Sequence, residues 1–195
     1  AGYPIDYGYG INNVPRSFGI ALEIGESHTF TTEEVVNLGD PIRIYGATNI
    51  AELDLSAMAS RLAVVTISNV YDEANGTKLT KLIIGNKDVT NLEVTDISGL
   101  KQAIALEYLD IQGMSKITSL DLTSHAYIKT VKAFGSGIDS VTFAKGSPVE
   151  VVELPSAVRV LQFEQLPYLT SENLKLEDNS VIVNISIKSC PKISN

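Results

Sequence analysis

A short apolar pattern, L-x-x-L-x-L, occurs four times in succession between residues 106 and 143, with triplets beginning 11, 11 and 10 residues apart. The last two positions of each triplet are two residues apart, which is the period of a β-strand, so both side chains point to one face. Only four or five residues remain for each corner, too few for a helix and its return. The triplets are Leu106, Leu109 and Ile111; Ile117, Leu120 and Leu122; Ile128, Val131 and Ala133; and Ile138, Val141 and Phe143.

Two triplets make one coil of 21 to 22 residues, with an extended segment on each side. A single coil of this kind would leave its apolar edge in water, so coils must stack on one another to bury a continuous strip. We therefore expect a mainly β solenoid with few short helices. The triplet residues should form its core.

The same pattern continues more weakly outside this stretch and sets the expected domain organisation. We predict a solenoid over residues 42–195, with longer connections at 68–78 and 95–105. Additional triplets are Val89, Leu92 and Val94, and Ile182, Ile185 and Ile187, whereas the irregular apolar spacing of residues 166–180 predicts a degenerate coil. Residues 18–41 lack the pattern and predict an atypical N-terminal cap. From both ends of the sequence, we expect the chain to be a fragment of a longer one.

A Gly/Tyr-rich segment occupies residues 1–17 and predicts an extended arm, because Gly and Pro resist helix formation. Tyr3, Tyr7 and Tyr9 could contact a neighbouring subunit, since tyrosine combines apolar area with a hydroxyl group. The alternative is that the arm is a strap over the edge of its own domain.

The position three residues after each triplet forms a corner slot. It holds Met114, His125, Ser136, Gly146, Leu166 and Cys190 in successive units, and residues 182–193 fit L-x-x-L-x-L-x-x-C-x-x-L. With this slot, residues 42–195 resemble a leucine-rich-repeat solenoid of an irregular bacterial type without long convex helices. Because few slots carry Asn, a regular asparagine ladder is not expected.

Two segments carry a more specific resemblance. GLKQAIALEYLDIQG at residues 99–113 and KAFGSGIDSVTFAKGSPVEVVELPSAV at residues 132–158 are similar to repeat domains of Bacteroidetes and of their tailed, crAss-like phages. The resemblance implies a structural protein of the virion, in a tail or a tail-associated appendage.

Charge and cysteine content exclude several classes of function. With 15 Lys and Arg against 23 Asp and Glu, the net charge of -8 disfavours nucleic-acid binding. Cys190 is the single cysteine, which excludes an intrachain disulfide framework and predicts a buried thiol. No apolar run approaches the roughly 18 residues of a membrane-spanning helix.

Catalytic and metal-binding patterns are missing from the sequence. His28 and His125 do not lie in a metal-ligand spacing, and His125 occupies a corner slot, where a structural role is expected. The outward strand positions include Glu150, Glu153 and Glu164, which we expect to form a solvent-exposed face without a catalytic role. We therefore expect no catalytic residues, no metal, no cofactor and no enzymatic activity.

The functional hypothesis at this point is a non-enzymatic scaffold in a virion, whose partners are other protein subunits of an assembly. The alternative is a bacterial cell-surface or secreted adhesin that binds a host receptor or a glycan. Contact residues are expected in the outward strand positions, the two longer connections and the tyrosine-rich arm.

Overall fold

A computed structural model describes residues 50–67 and 78–194, together with three two-residue strands nearer the N-terminus. The chain forms two compact units, Ala1–Ala47 and Thr48–Asn195. In the first unit, β1 (Ile5–Asp6) pairs antiparallel with β2 (Ser17–Phe18) and with β3 (Arg43–Ile44).

Much of the predicted arm and cap lies outside the described residues. These include Tyr3, Tyr7 and Tyr9, as well as His28 and most of the connection at 68–78.

The second unit is built from parallel strands that alternate between two sides of a coil. The first sheet contains β4 (Glu52–Asp54), β6 (Lys81–Ile83), β8 (Tyr108–Asp110), β10 (Thr130–Lys132), β12 (Val151–Leu154) and β14 (Leu174–Leu176). The second sheet contains β9 (Ser119–Leu122), β11 (Ser140–Phe143), β13 (Val160–Glu164) and β15 (Asn184–Lys188), and β5 (Val65–Thr66) pairs with β7 (Ile97–Ser98). Helical structure in this unit is limited to the short 3-10 segments Ser56–Arg61 and Leu100–Gln102 among the described residues.

Each strand pairs with the strand one full coil away, and this pairing generates the solenoid. Leu109 on β8 is in register with Val131 on β10, which is in register with Val152 on β12, at intervals of 22 and 21 residues. Equivalent side chains of successive coils therefore stack in columns that run across the sheet. The predicted mainly β solenoid with few short helices is confirmed.

The inward columns form the core. All eleven core candidates are at most 7% exposed: Leu106, Leu109, Ile111, Ile117, Leu120, Leu122, Ile128, Val131, Ile138, Val141 and Phe143. Phe143 and Phe163 lie in neighbouring coils and contact each other edge to face, with ring centroids 5.8 Å apart. Burial of each large apolar side chain contributes roughly 1.5 to 3 kcal/mol relative to exposure.

Three predicted features differ from the structure. The predicted triplet Val89, Leu92 and Val94 does not form a strand. Asn91 takes the buried position that the pattern assigned to Leu92, and Leu92 is 61% exposed. The predicted degenerate coil at 166–180 contains β14, which completes the first sheet. Ile185 occupies an inward column yet is 61% exposed, since β15 ends its sheet and no further coil covers it among the described residues.

Gly113 permits the close approach of two coils. Its φ of +75° lies in the left-handed region that favours glycine, and a Cβ atom there would overlap the backbone carbonyl oxygen of Val89. The glycine therefore sets how tightly these two coils can pack.

Candidate interaction surface

The corner slots are buried except at Gly146, which is exposed. Met114 and His125 are fully buried and Cys190 is 7% exposed. The Nε2 atom of His125 donates to the carbonyl oxygen of Leu100 at 3.1 Å, because a carbonyl group can only accept. Its Nδ1 atom has no hydrogen-bond partner among the described residues, and burial lowers the pKa of the imidazole. Burial therefore favours the neutral form of the His125 imidazole.

Asn91 is the polar residue that links two coils, and the sequence pattern did not reveal it. Its Nδ2 atom donates to the carbonyl oxygens of Ala59 and Leu62, each at 2.7 Å. Its Oδ1 atom accepts from the backbone N–H groups of Glu93 and Val94, each at 2.9 Å. All four bonding positions of the buried amide are thus filled, as burial of a polar group requires.

Charges alternate along one outward column of the first sheet, which we call the charge column. It consists of Asp110, Lys132, Glu153 and Lys175, in register on β8, β10, β12 and β14. The Lys175 ammonium lies 3.2 Å from the Glu153 carboxylate. Strand spacing of about 4.8 Å brings each charge next to an opposite one.

Hydrogen bonds and burial act on the two charges of this column that lie on the central strands β8 and β10, Asp110 and Lys132. Burial raises the pKa of Asp110, although its carboxylate accepts two hydrogen bonds from Gln112, each at 3.0 Å. Burial opposes the charge on Lys132, but the nearby Tyr108 and Glu153 outweigh this effect and raise its pKa. Lys132 is therefore held as a cation between acidic neighbours.

Tyr108 stands at the centre of the outward face, on β8. The ammonium nitrogens of Lys81 and Lys132, from the strands on either side, are each 5.9 Å from its ring centroid. The ring is half-buried, so it offers part of its surface for contact. We call the surface formed by Lys81, Tyr108, Lys132 and Glu153 the Tyr108 face; Asp110, on the same strand as Tyr108, is buried.

Additional ion pairs surround the Tyr108 face. Lys81 lies 3.1 Å from Glu52, and Lys129 lies 2.6 Å from Glu107. The hydrogen bond from Lys129 to Glu107 raises the pKa of the lysine. Each such exposed pair contributes at most about 1 kcal/mol to stability.

The outward face of the second sheet has a different chemistry. Its central column consists of Asp121, Thr142, Gln162 and Ser186, which are in register on successive strands. Thr142, Gln162 and Ser186 also line a shallow depression of about 670 Å³. The depression therefore carries hydroxyl and amide groups together with the charged side chains of Lys145, Glu164 and Lys188.

The described residues contain no group of three or more His, Cys, Asp or Glu side chains arranged to hold a metal ion. None of the helices in that part of the chain is long and apolar enough to cross a membrane.

Comparisons with protein-family models, with curated proteins and with solved structures gave no match to the chain.

Proposed function

We propose that this chain is a non-enzymatic scaffold of the leucine-rich-repeat class that binds another protein subunit through the Tyr108 face. The observation that carries the proposal is the position of Tyr108 between two lysines on a six-stranded parallel sheet. Protein interfaces are enriched in tyrosine at their centre and carry polar groups at the rim. The Tyr108 face has this arrangement.

The Tyr108 face is preorganised for binding. Its side chains project from hydrogen-bonded strands, and the salt bridge between Lys175 and Glu153 limits side-chain motion at its margin. Association costs less when side chains are already ordered, by about 0.5 to 1.5 kcal/mol for each long side chain. A partner with the complementary order of charges would also be selected against a partner with the reverse order.

The repeat class is supported by sequence and coil length together. The intervals of 21 and 22 residues between stacked strands fall in the range of leucine-rich repeats. Cys190 occupies the slot that holds Asn or Cys in such repeats, and it is buried as a corner residue should be.

The location we propose is a virion, in a phage tail or a tail-associated appendage. The support is the resemblance of residues 99–113 and 132–158 to repeat domains of Bacteroidetes and their crAss-like phages. Quantitative mass spectrometry of purified particles of a phage that encodes the chain tests this location. We expect its peptides at a fixed ratio to known particle proteins, and their absence from the particles would contradict the location.

The binding face is tested with a matched pair of tyrosine substitutions. Tyr108→Ala should lower incorporation into particles at least tenfold, as expected for loss of a central interface residue worth about 2 kcal/mol. Tyr127→Ala, at a 60% exposed tyrosine on a turn, should leave incorporation unchanged. Equal incorporation of both variants, with wild-type thermal stability, would show that Tyr108 does not contact the partner.

The second candidate is a bacterial cell-surface or secreted adhesin that binds a glycan through the second sheet. The observation that favours it is the depression lined by Thr142, Gln162 and Ser186, whose hydroxyl and amide groups match the bonding groups of sugars. A glycan array would distinguish the candidates: binding that is lost in Gln162→Ala and kept in Tyr108→Ala supports the adhesin. No binding to any glycan would contradict it.

A further inference from the structure

The second sheet is interrupted inside the solenoid. Strands β9, β11, β13 and β15 form one ladder, whereas β7 pairs with β5, and no ladder joins β7 to β9 among the described residues. On the first side the same two coils are paired in register, with Leu82 on β6 opposite Leu109 on β8. We call the unpaired boundary between β7 and β9 the seam. A strand ladder therefore joins these two coils along one side only.

One hydrogen bond crosses the seam. The Nε2 atom of His125, in the corner after β9, donates to the carbonyl oxygen of Leu100, in the 3-10 segment after β7, at 3.1 Å. No other hydrogen bond joins residues 97–105 to residues 117–125, and all of these residues are described. The same carbonyl oxygen accepts from the Ala103 N–H group at 2.9 Å. His125 thus attaches the 3-10 turn of one coil to the corner of the next.

The corner after the first sheet is bonded more fully. The Asn91 N–H donates to the carbonyl oxygen of Gly113 at 2.8 Å, and the Ser115 N–H donates to that of Asn91 at 3.1 Å. Ile97 and Leu100 are buried, so apolar packing also holds the seam closed. Loss of the His125 bond would leave packing alone at the seam, while the first side would keep its backbone bonds. This is the geometry of a hinge with its axis at the first sheet.

We propose that the seam is a hinge that opens in acid, and that His125 is its latch. Protonation adds a hydrogen to Nδ1, which is buried and has no hydrogen-bond partner among the described residues. The closed seam would then hold a charged ring with an unpaired donor, and both features are unfavourable in a protein interior. Opening the seam exposes the ring to water, which solvates the imidazolium.

The charged groups around the ring oppose this opening only in part. Asp121 on β9 favours the imidazolium, and a hydrogen bond from the Thr123 side chain lowers the pKa of Asp121 and keeps it ionised. Across the seam, Lys101 also interacts with Asp121. In the corner of the following coil, Lys145 is paired with Glu164 at 2.9 Å. Burial outweighs the attraction of Asp121, so the pKa of the imidazole is lowered.

The direction of this shift sets the pH range of opening. Because the pKa is lower in the closed form than its ordinary value of 6.5, the closed seam is fully favoured above pH 6.5 and weakened as the pH falls below it. From about pH 7 to about pH 5, the equilibrium constant for opening should increase by at most about 25-fold, the limit for a closed form that binds no proton. The hinge is independent of the Tyr108 face and of its partner.

Hydrogen exchange on the wild-type chain measures this opening. The buried Ala103 amide reports on the seam, and the Asp139 amide, which donates to the Thr118 carbonyl oxygen at 2.9 Å within the intact sheet, is the control. After correction for intrinsic rates, the protection of Ala103 should fall by about 5-fold to 25-fold from about pH 7 to about pH 5. Its exchange should be insensitive to low urea, as for a local opening, whereas exchange of Asp139 should follow global unfolding. The same urea dependence at both amides, or no change at Ala103, would overturn the hinge.

Spin labels test the movement itself, in a Cys190→Ser background because Cys190 is the single cysteine. Labels at Ser98→Cys and Ser119→Cys span the seam, and labels at Ser119→Cys and Ser140→Cys span the paired strands β9 and β11 as the matched control. Acid should remove dipolar broadening from the seam pair and leave it in the control pair. Loss of broadening in both pairs together would show that the chain unfolds as one unit, and would contradict the hinge.

A substitution of the latch separates protonation of His125 from other effects of acid. In His125→Gln the side-chain amide can donate to the same Leu100 carbonyl oxygen but does not titrate. Thermal unfolding checks that this variant is folded at both pH values. The seam pair of labels should then keep its broadening in acid. If the folded variant opened in acid as much as wild type does, His125 would not be the latch.

Discussion

Replacing Leu109 with alanine tests the energetic basis of the stacked coils. Leu109 lies on β8 in the middle of the first sheet, between Leu82 and Val131 in the inward column, and is fully buried. Leu176, at the exposed edge of the same sheet, is 39% exposed and serves as the control. The two substitutions remove the same atoms from different surroundings.

The expected costs follow from this difference in burial. Removal of three carbon atoms at about 0.8 kcal/mol each gives about 2.4 kcal/mol, and the closed cavity at Leu109 raises the total to about 3 to 5 kcal/mol. At Leu176 about 60% of the transfer energy remains and no closed cavity forms, so about 1.5 kcal/mol is expected. The buried site should therefore cost two to three times as much, as a rough estimate.

Urea denaturation followed by circular dichroism measures both values against wild type. In thermal unfolding, each kcal/mol should lower the Tm by about 2 to 4 °C for a chain of this size. Equal destabilisation by the two substitutions, or a cost below about 1 kcal/mol at Leu109, would refute the stacking of β8 between two neighbouring coils.

Other predictions concern the coil junctions and the buried histidine. Asn91→Ala should destabilise by about 2 to 5 kcal/mol, because four backbone groups lose a buried partner. Asn86→Ala should cost less in the same urea assay, because it loses only a 3.4 Å bond to the Ser56 carbonyl and an exposed bond from the Asp88 N–H. Gly113→Ala should cost clearly more than Gly146→Ala, since both have positive φ but only the first Cβ meets backbone within 4 Å; equal melting temperatures would contradict this. Because burial lowers the pKa of His125 below its value of 6.5, the unfolded chain binds the proton more readily, and stability present above pH 6.5 should fall as the pH drops below it. His125→Gln should reduce this fall in stability below pH 6.5, by up to about 1.4 kcal/mol for each pH unit. An unchanged pH dependence would mean that His125 titrates normally.

The sequence predicted the fold best where coil length is regular. From Leu106 to Phe143, each triplet has the strand period and a short corner, so one register buries all the apolar positions. At residues 89 to 94 the same reasoning placed the buried side chain at Leu92 instead of Asn91, one residue too late. The side chain of Asn91 completes four hydrogen bonds that apolar periodicity does not detect.

The interaction surface was harder to predict for a geometrical reason. Asp110, Lys132, Glu153 and Lys175 are 21 or 22 residues apart and become neighbours only when the coil length is known. Aligning the chain by coils would have revealed the alternating charges. The exposure of Ile185 could not be predicted in this way, because burial of an inward residue also depends on whether another strand covers it.

The most direct test of the parallel solenoid is a backbone NOE experiment on isotopically labelled protein. Strands of the same length and spacing could also fold as an antiparallel meander, in which each strand pairs with the next one along the chain. The solenoid predicts interstrand contacts between the amide and alpha protons of β8 and β10, in the parallel pattern that aligns Leu109 with Val131. Strong contacts between alpha protons of β8 and β9 would instead show antiparallel pairing and contradict the solenoid.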